Sequence, residues 1–395
     1  MRASLADLAF AAVDGATSPA DVAVVLNFAE GCGLSPEQLE AGAARANAAY
    51  PRATQRLVGS RWRDGEAAPR RLQVAEAAQG ALEACIAQFL AEPFRLSDGG
   101  APPQLLVRSG AAEHLVTRLH HAQADMQSIF LWLRAQLEAQ AAPAALTLRE
   151  HPRPARRSVH APAGPSSRLA GGDVTRSTGV RAWALRSWPE RTTPDGFTWN
   201  DLLAAIALTA VERWNAARGG GAEVGLWMPV GARVDHFAGF GNGSGRIRVY
   251  AKPFTTFAAR ARAVREQLTW SREHGEWATP RWAERLLLLP SPWVRWILRR
   301  QASSPGVDMG TTLFTHLQRL VPRGAPEPLP AVSSVALISH LLPAHPISMS
   351  AMGLRGTTHL TFTWDAGRFS PDEARAFIEG FEATRDQAFA ELDHA

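Results

Sequence analysis

Apolar positions along the chain change period repeatedly between two and about three and a half, the rhythm of strands alternating with amphipathic helices. Val22 to Phe28 is an apolar, β-branched run and predicts a strand. Ser35 followed by Pro36 is a helix start, and the helix is expected to reach Ala49 before Pro51 stops it. Thr54 to Trp62 reads as a strand, and Leu72 to Leu90 as a helix with Leu82, Cys85 and Phe89 on one face. Gln104–Arg108 and His114–His120 form a predicted hairpin around Ser109-Gly110. Met126 to Gln140 then carries Ile129, Phe130, Leu133 and Leu137 at helical spacing.

Between Ala141 and Gly179 the periodicity disappears into prolines and arginines. The expected organisation is therefore an N-terminal lobe (1–145), a Pro/Arg-rich linker (146–178) and a C-terminal lobe (179–395). The rhythm restarts with a strand over Val180–Leu185 and a helix from Trp199 to Ala217 capped by Thr198. Strands over Glu223–Val230 and Arg246–Tyr250 follow, then a helix over Phe254–Ser271. Two halves of similar rhythm in 395 residues predict an α/β (α+β) protein of two lobes.

Composition narrows the class. Two cysteines, Cys32 and Cys85, are too few for a disulfide framework and lack metal-ligand spacing, so no metal site is expected. With no secretory leader and no run of about 18 apolar residues, a cytoplasmic location is expected. The formal charge is +5, and Lys252 is the single lysine. The arginines are scattered among 37 acids without interleaved aromatics, which argues against a nucleic-acid partner. Trp282–Leu289 and Trp293–Arg300, broken by Pro290-Ser291-Pro292, form the stretch best suited to a membrane surface. A packed or tunnel-lining role is the preferred reading there, as two short helices.

The chemistry concentrates at His120-His121-Ala122-Gln123-Ala124-Asp125, where the strand pattern gives way to the helix. An imidazole titrates near neutrality, so it can take a proton at working pH and return it. Adjacent residues on an extended segment point to opposite sides, so only one histidine is expected to do chemistry. There is no Gly-x-Ser-x-Gly elbow, no His-Glu-x-x-His helix and no phosphate-binding P-loop.

This run matches the HHxxxD signature, and the chain resembles the chloramphenicol acetyltransferase-like superfamily, which includes nonribosomal peptide condensation domains and wax ester synthase/diacylglycerol acyltransferases. Further stretches in the family's order are Thr198-Trp199-Asn200-Asp201, Pro229-Val230-Gly231-Ala232-Arg233 with Gly241-Asn242, and Val332-Ser333-Ser334-Val335. Leu5 to Phe10 and Phe369 to Glu373 also fit. The resemblance implies two lobes, each a mixed sheet with flanking helices, arranged in a V around a tunnel. It implies acyl transfer from a coenzyme A or carrier-protein thioester to a hydroxyl or amine, on a small-molecule or carrier-bound acceptor. No cofactor is expected beyond that donor, on coenzyme A or phosphopantetheine. His121 would be the general base. His120 and Asp125 would be structural, with Arg233 as the partner of Asp125.

A hydrogen-bond donor to the tetrahedral oxyanion is typically worth about 3 to 4 kcal/mol, and Ser333 or Ser334 is the candidate. Asn242 is expected to stabilise a turn or line the tunnel. Relatives carry glycine where this chain has Met126, a side chain expected to narrow the tunnel. They also carry asparagine at Gly231 and Ser334, and peptide-forming members have a D-F-G-W-G latch that is absent here. Two alternatives follow: a condensation enzyme joining two carrier-bound substrates as amide or ester, or a catalytically silent relative that docks carriers. Arg156 and Arg157 are expected to attract an acidic carrier or the coenzyme's phosphates.

Overall fold

Each face of the first strand is committed to a different core, and that strand sets the architecture. In the computed structural model of the protein, β1 (Asp21–Phe28) turns Val22, Val24 and Leu26 to one cluster, and Ala23 and Val25 to another. A strand covered on both faces reads as a continuous apolar run, hence DVAVVLNF. The structure describes residues 1–15, 19–65, 72–78, 80–138, 166–171, 174–194, 196–231, 240–251, 254, 256–303, 310–317, 331–342 and 344–394.

Around β1 the first half contributes α1 (Leu5–Val13), α2 (Pro36–Ala49), β2 (Arg56–Val58), β3 (Arg61–Arg63) and β4 (Leu72–Glu76). It continues with α3 (Leu82–Ala91), β5 (Gln104–Ser109), β6 (Ala112–His120) and α4 (Met126–Leu137). The second half holds β7 (Arg181–Pro189), α5 (Trp199–Ala217), β8 (Gly225–Gly231), β9 (Ser244–Tyr250) and α6 (Phe257–Glu273). After these come α7 (Arg281–Glu284), α8 (Ser291–Ser303), β10 (Thr312–Leu317), β11 (Val332–Ile338), β12 (Ile347–Leu354), β13 (Thr357–Asp365) and α9 (Pro371–Asp393).

The strands form two large sheets. One runs β11-β1-β6-β5-β4, with α2 and α4 on one face and α3 on the other. The other runs β7-β13-β12-β10-β8-β9 and carries α5, α6 and α9. The mixed α/β class and the two sheet-and-helix lobes are therefore as expected. The first sheet takes its edge strand β11 from the second half of the chain, pairing Ala23 with Ile338 and Asn27 with Ser334.

Several local expectations hold for identifiable reasons. Ser35 caps α2 through Gln38 N, and Thr198 and Asp201 form a reciprocal capping box on α5. Where α2 crosses α4, Gly42 leaves room for the carbonyl of Gln136; a Cβ there would sit 2.2 Å from that oxygen.

Two expectations fail. Thr54–Trp62 is not one strand but the end of a 3-10 turn followed by the small β2–β3 hairpin, which reverses at Gly59 (φ 63°). Leu72–Leu90 is not one helix: Leu72–Glu76 pairs in parallel with β5, and helix begins only at Leu82. This short edge strand buries little of itself, so its weak apolar pattern merges with the alanine-rich stretch that follows it. The proposed linker falls largely on residues 139–165, outside the described residues, as do Arg156 and Arg157.

One buried ion cluster joins the sheets. Asp21 accepts from Arg118 of β6 and Arg181 of β7, both at 2.9 Å, and its carbonyl accepts from Arg181 at 2.7 Å. Burial alone raises a carboxyl's pKa. Here Arg181 and Arg118 outweigh it and hold Asp21 down at about 2. Threonine and serine hydroxyls complete the seam: Leu337 N donates to Thr361 Oγ1 at 2.9 Å, and Ser339 Oγ bonds Ser350 Oγ at 2.6 Å.

Candidate active site

At the end of β6 the chain turns sharply, with Gln123 N and Ala124 N both donating to His120 O. Asp125 then caps α4, its Oδ1 accepting from Ser128 N at 2.9 Å. The two histidines diverge as the extended backbone requires. The ring of His120 is fully buried; its Nδ1 accepts from Ala122 N at 3.1 Å, which fixes the proton on Nε2, 3.4 Å from Asp14 Oδ2.

His121 faces the other way, onto a cavity of about 290 Å³. Leu5, Ala9 and Phe10 of α1 line one side. Trp227, Arg246 and His340 line the side contributed by the second half of the chain. Phe10 stacks flat on the His121 ring with centroids 4.0 Å apart, and His340 meets it edge-on at 4.9 Å. Burial lowers the His121 pKa to about 4, against the opposing pull of its own backbone carbonyl and of Asp125. The imidazole is thus neutral throughout the physiological range, with a lone pair available. Burial, helped by the neighbouring His121, pushes His340 well below its ordinary value too.

Asp125 ties the histidine turn to the second half. Its Oδ2 accepts from Gly243 N at 2.8 Å, and its backbone N donates to Gly241 O at 3.1 Å. Ser128 Oγ donates to Gly241 O and accepts from Gly241 N, at 2.7 and 2.9 Å. Gly241 adopts φ 150°, a conformation that favours glycine. Asn242, next to it, accepts from Ser244 N at 3.2 Å and does not line the His121 cavity. Arg233 lies outside the described residues.

Other candidates are displaced from the histidine. Ser333 and Ser334 bond Asn27 O and Asn27 Nδ2, and line a separate cavity with His114 and Trp183. Asp21, which lies opposite His120 in the β1–β6 register, and Asn27 are at opposite ends of β1, about 20 Å apart at strand rise, which removes both serines from the oxyanion role. Met126 packs against the α2–α4 core and is not among the residues lining the cavity, so it does not narrow it there.

Sequence reasoning missed three contributors. Arg52 donates to Asp7 at 2.8 Å and to the carbonyls of Ala122 and Gln123, both at 3.2 Å, bracing the histidine turn against α1. Phe10 belonged to a quoted motif but had no role assigned from it. His340 lies in an anonymous Ser-His-Leu-Leu run, and nothing in its spacing links it to His121. Among the described residues no cluster of His, Cys, Asp or Glu suits a metal ion.

Nearly the full length of the chain aligns with solved structures. A double mutant of the starter condensation domain of rhizomide synthetase RzmA, in complex with C8-CoA and Leu-SNAC, matches with a TM-score of 0.66 over 98% of this chain and 94% of that one. The fold is that of a nonribosomal peptide synthetase condensation domain. Sequence identity to the RzmA domain is 15%. The AMPPNP-bound nonribosomal peptide synthetase FmoA3 also matches, with a TM-score of 0.66 and 14% identity. That alignment covers 99% of this chain and 42% of the longer FmoA3 chain. No family model matches the sequence, and no curated protein does. The condensation-domain fold is the one implied by the motif resemblance.

Proposed function

We propose that this protein is an acyltransferase that moves an acyl group from a thioester, on coenzyme A or a carrier-bound phosphopantetheine, to a hydroxyl or amine. His121 takes the acceptor's proton as its oxygen or nitrogen bonds to the thioester carbonyl. The C–S bond breaks as the tetrahedral intermediate collapses, and the proton passes from His121 to the departing thiolate. The observation that carries this reading is the placement of His121 on a cavity lined from both halves of the chain, where burial lowers its pKa. The apolar walls suit an acyl chain. Asp125, His120 and Arg52 act on the turn's geometry, not on the reacting atoms. Arg233 is retained as a candidate partner of Asp125.

Amide formation is the second reading. The complex of the RzmA domain with C8-CoA and Leu-SNAC favours it, since that structurally similar protein holds both ligands. Purified protein is tested with acyl-coenzyme A and acyl-carrier donors and amine or alcohol acceptors, following thiol release and product mass. Acceptor-dependent thiol release should fall by about 10² to 10⁴ in His121→Ala. An unchanged rate in that variant, or no release with any donor, overturns the proposal.

A further inference from the structure

Ten large apolar side chains stand exposed among the described residues, and five of them lie between 282 and 296. Trp282 is 64% exposed, Leu288 78%, Trp293 62% and Trp296 54%, with Leu289 beside them. Exposed apolar groups gathered in one patch mark an interaction surface. Two more exposed groups adjoin the patch. Val58 precedes Gly59, whose carbonyl accepts from Arg295, and Met1 precedes Arg2, which donates to Leu287 O.

Helix α8 divides its faces between two tasks. Val294 and Leu298 are buried against α1, in a cluster with Leu8 and Ala12. Trp293 and Trp296 point outward and meet edge-to-face at 6.2 Å, and Arg300 lies over Trp296 at 5.6 Å. Every charged residue from 285 to 303 is an arginine: Arg285, Arg295, Arg299 and Arg300. Indoles protruding among these guanidinium groups, with Glu284 the one acid between Trp282 and Trp296, complement an anionic headgroup layer. With 13 residues, α8 is too short to cross a bilayer, which takes about 20, so it would lie in the interface plane.

We propose that the α7–α8 face docks this protein on an anionic lipid bilayer surface. Trp282, Leu286, Leu298 and Gln301 of the same segment also line the His121 cavity. Docking therefore sets that cavity beside the acyl-chain region, where an amphipathic substrate can enter without crossing water.

The test is co-sedimentation of the full chain with phosphatidylcholine vesicles, with and without about 30% phosphatidylglycerol. The wild type should bind the anionic vesicles and release them as salt rises. Trp293→Ser/Trp296→Ser should lower partitioning about tenfold or more, with circular dichroism unchanged, because both indoles are exposed. Arg285→Gln/Arg300→Gln, at two exposed positions, should remove the preference for anionic lipid. No binding to anionic vesicles, or binding that both double variants retain, overturns the proposal. So does binding to an acidic acyl carrier protein, in place of vesicles, through the same residues. Vesicle binding is read without turnover, so its failure is separate from failure of the acyl-transfer reading.

Discussion

Phe10 lies parallel to the imidazole of His121, ring planes 7° apart, so the first helix of the chain lids the histidine at the end of β6. That stacking excludes water from one face of the ring, and burial is the main cause of its low pKa. Asp7, three residues before Phe10, caps its own helix and holds Arg52, which grips the histidine turn. Position and protonation of His121 are thus set by the same helix.

The acid limb of kcat/KM should follow from this burial. A base whose pKa is about 4 stays neutral from pH 8 to about pH 5, so activity should be flat there and fall near pH 4. Phe10→Ala rehydrates the ring and should move that limb upward toward 6.5. A wild-type limb already at 6.5 contradicts the assignment.

Arg52→Ala removes a guanidinium bonded to one carboxylate and two carbonyls, and leaves Asp7 with fewer partners. A loss of about 2 to 3 kcal/mol in denaturant unfolding is expected. Arg52→Lys restores the charge but not the planar fork, so it should recover only part of the loss.

The Asp21 cluster predicts a specific acid sensitivity. Its folded carboxyl titrates at about 2 against an ordinary 3.8, so its stabilisation is complete above pH 3.8 and is lost as pH falls through 2. The shift corresponds to about 2 kcal/mol. Asp21→Asn should flatten that part of the stability–pH curve. At neutral pH it should cost about 3 to 5 kcal/mol, because Arg118 and Arg181 stay buried without their carboxylate.

Asp125 has two oxygens with separate duties, which two variants distinguish. Asp125→Asn keeps a carbonyl oxygen to cap α4 but, in that orientation, turns its amide NH2, a donor, toward the Gly243 N–H. Asp125→Ala loses both bonds and should unfold about 1 to 2 kcal/mol more easily than the asparagine variant. Equal stabilities in urea melts count against the cap.

Local chemistry was legible where it was strong. The Ser35 and Thr198 caps, the apolar run of β1 and the Ser109-Gly110 turn each signal themselves within a few residues. The histidine turn was visible too, because its strand and helix patterns meet at His120 and Asp125. Leu72–Leu90 reads as one helix because the short edge strand Leu72–Glu76 takes its identity from β5, not from its own periodicity. Ser333 and Ser334 were misassigned because motif order says nothing about which end of β1 the strand β11 meets.

The order of residues alone determined the strand-and-helix rhythm, the two-lobed α/β class and the place of the paired histidines at a strand–helix junction, since these depend on neighbours within a turn or a strand. Tertiary structure alone decided that Phe10 and His340 enclose His121, that Arg52 braces its turn, and that the two serines stand apart. Those relations come from strand pairing and burial between distant segments, and such contacts leave no periodic trace along the chain.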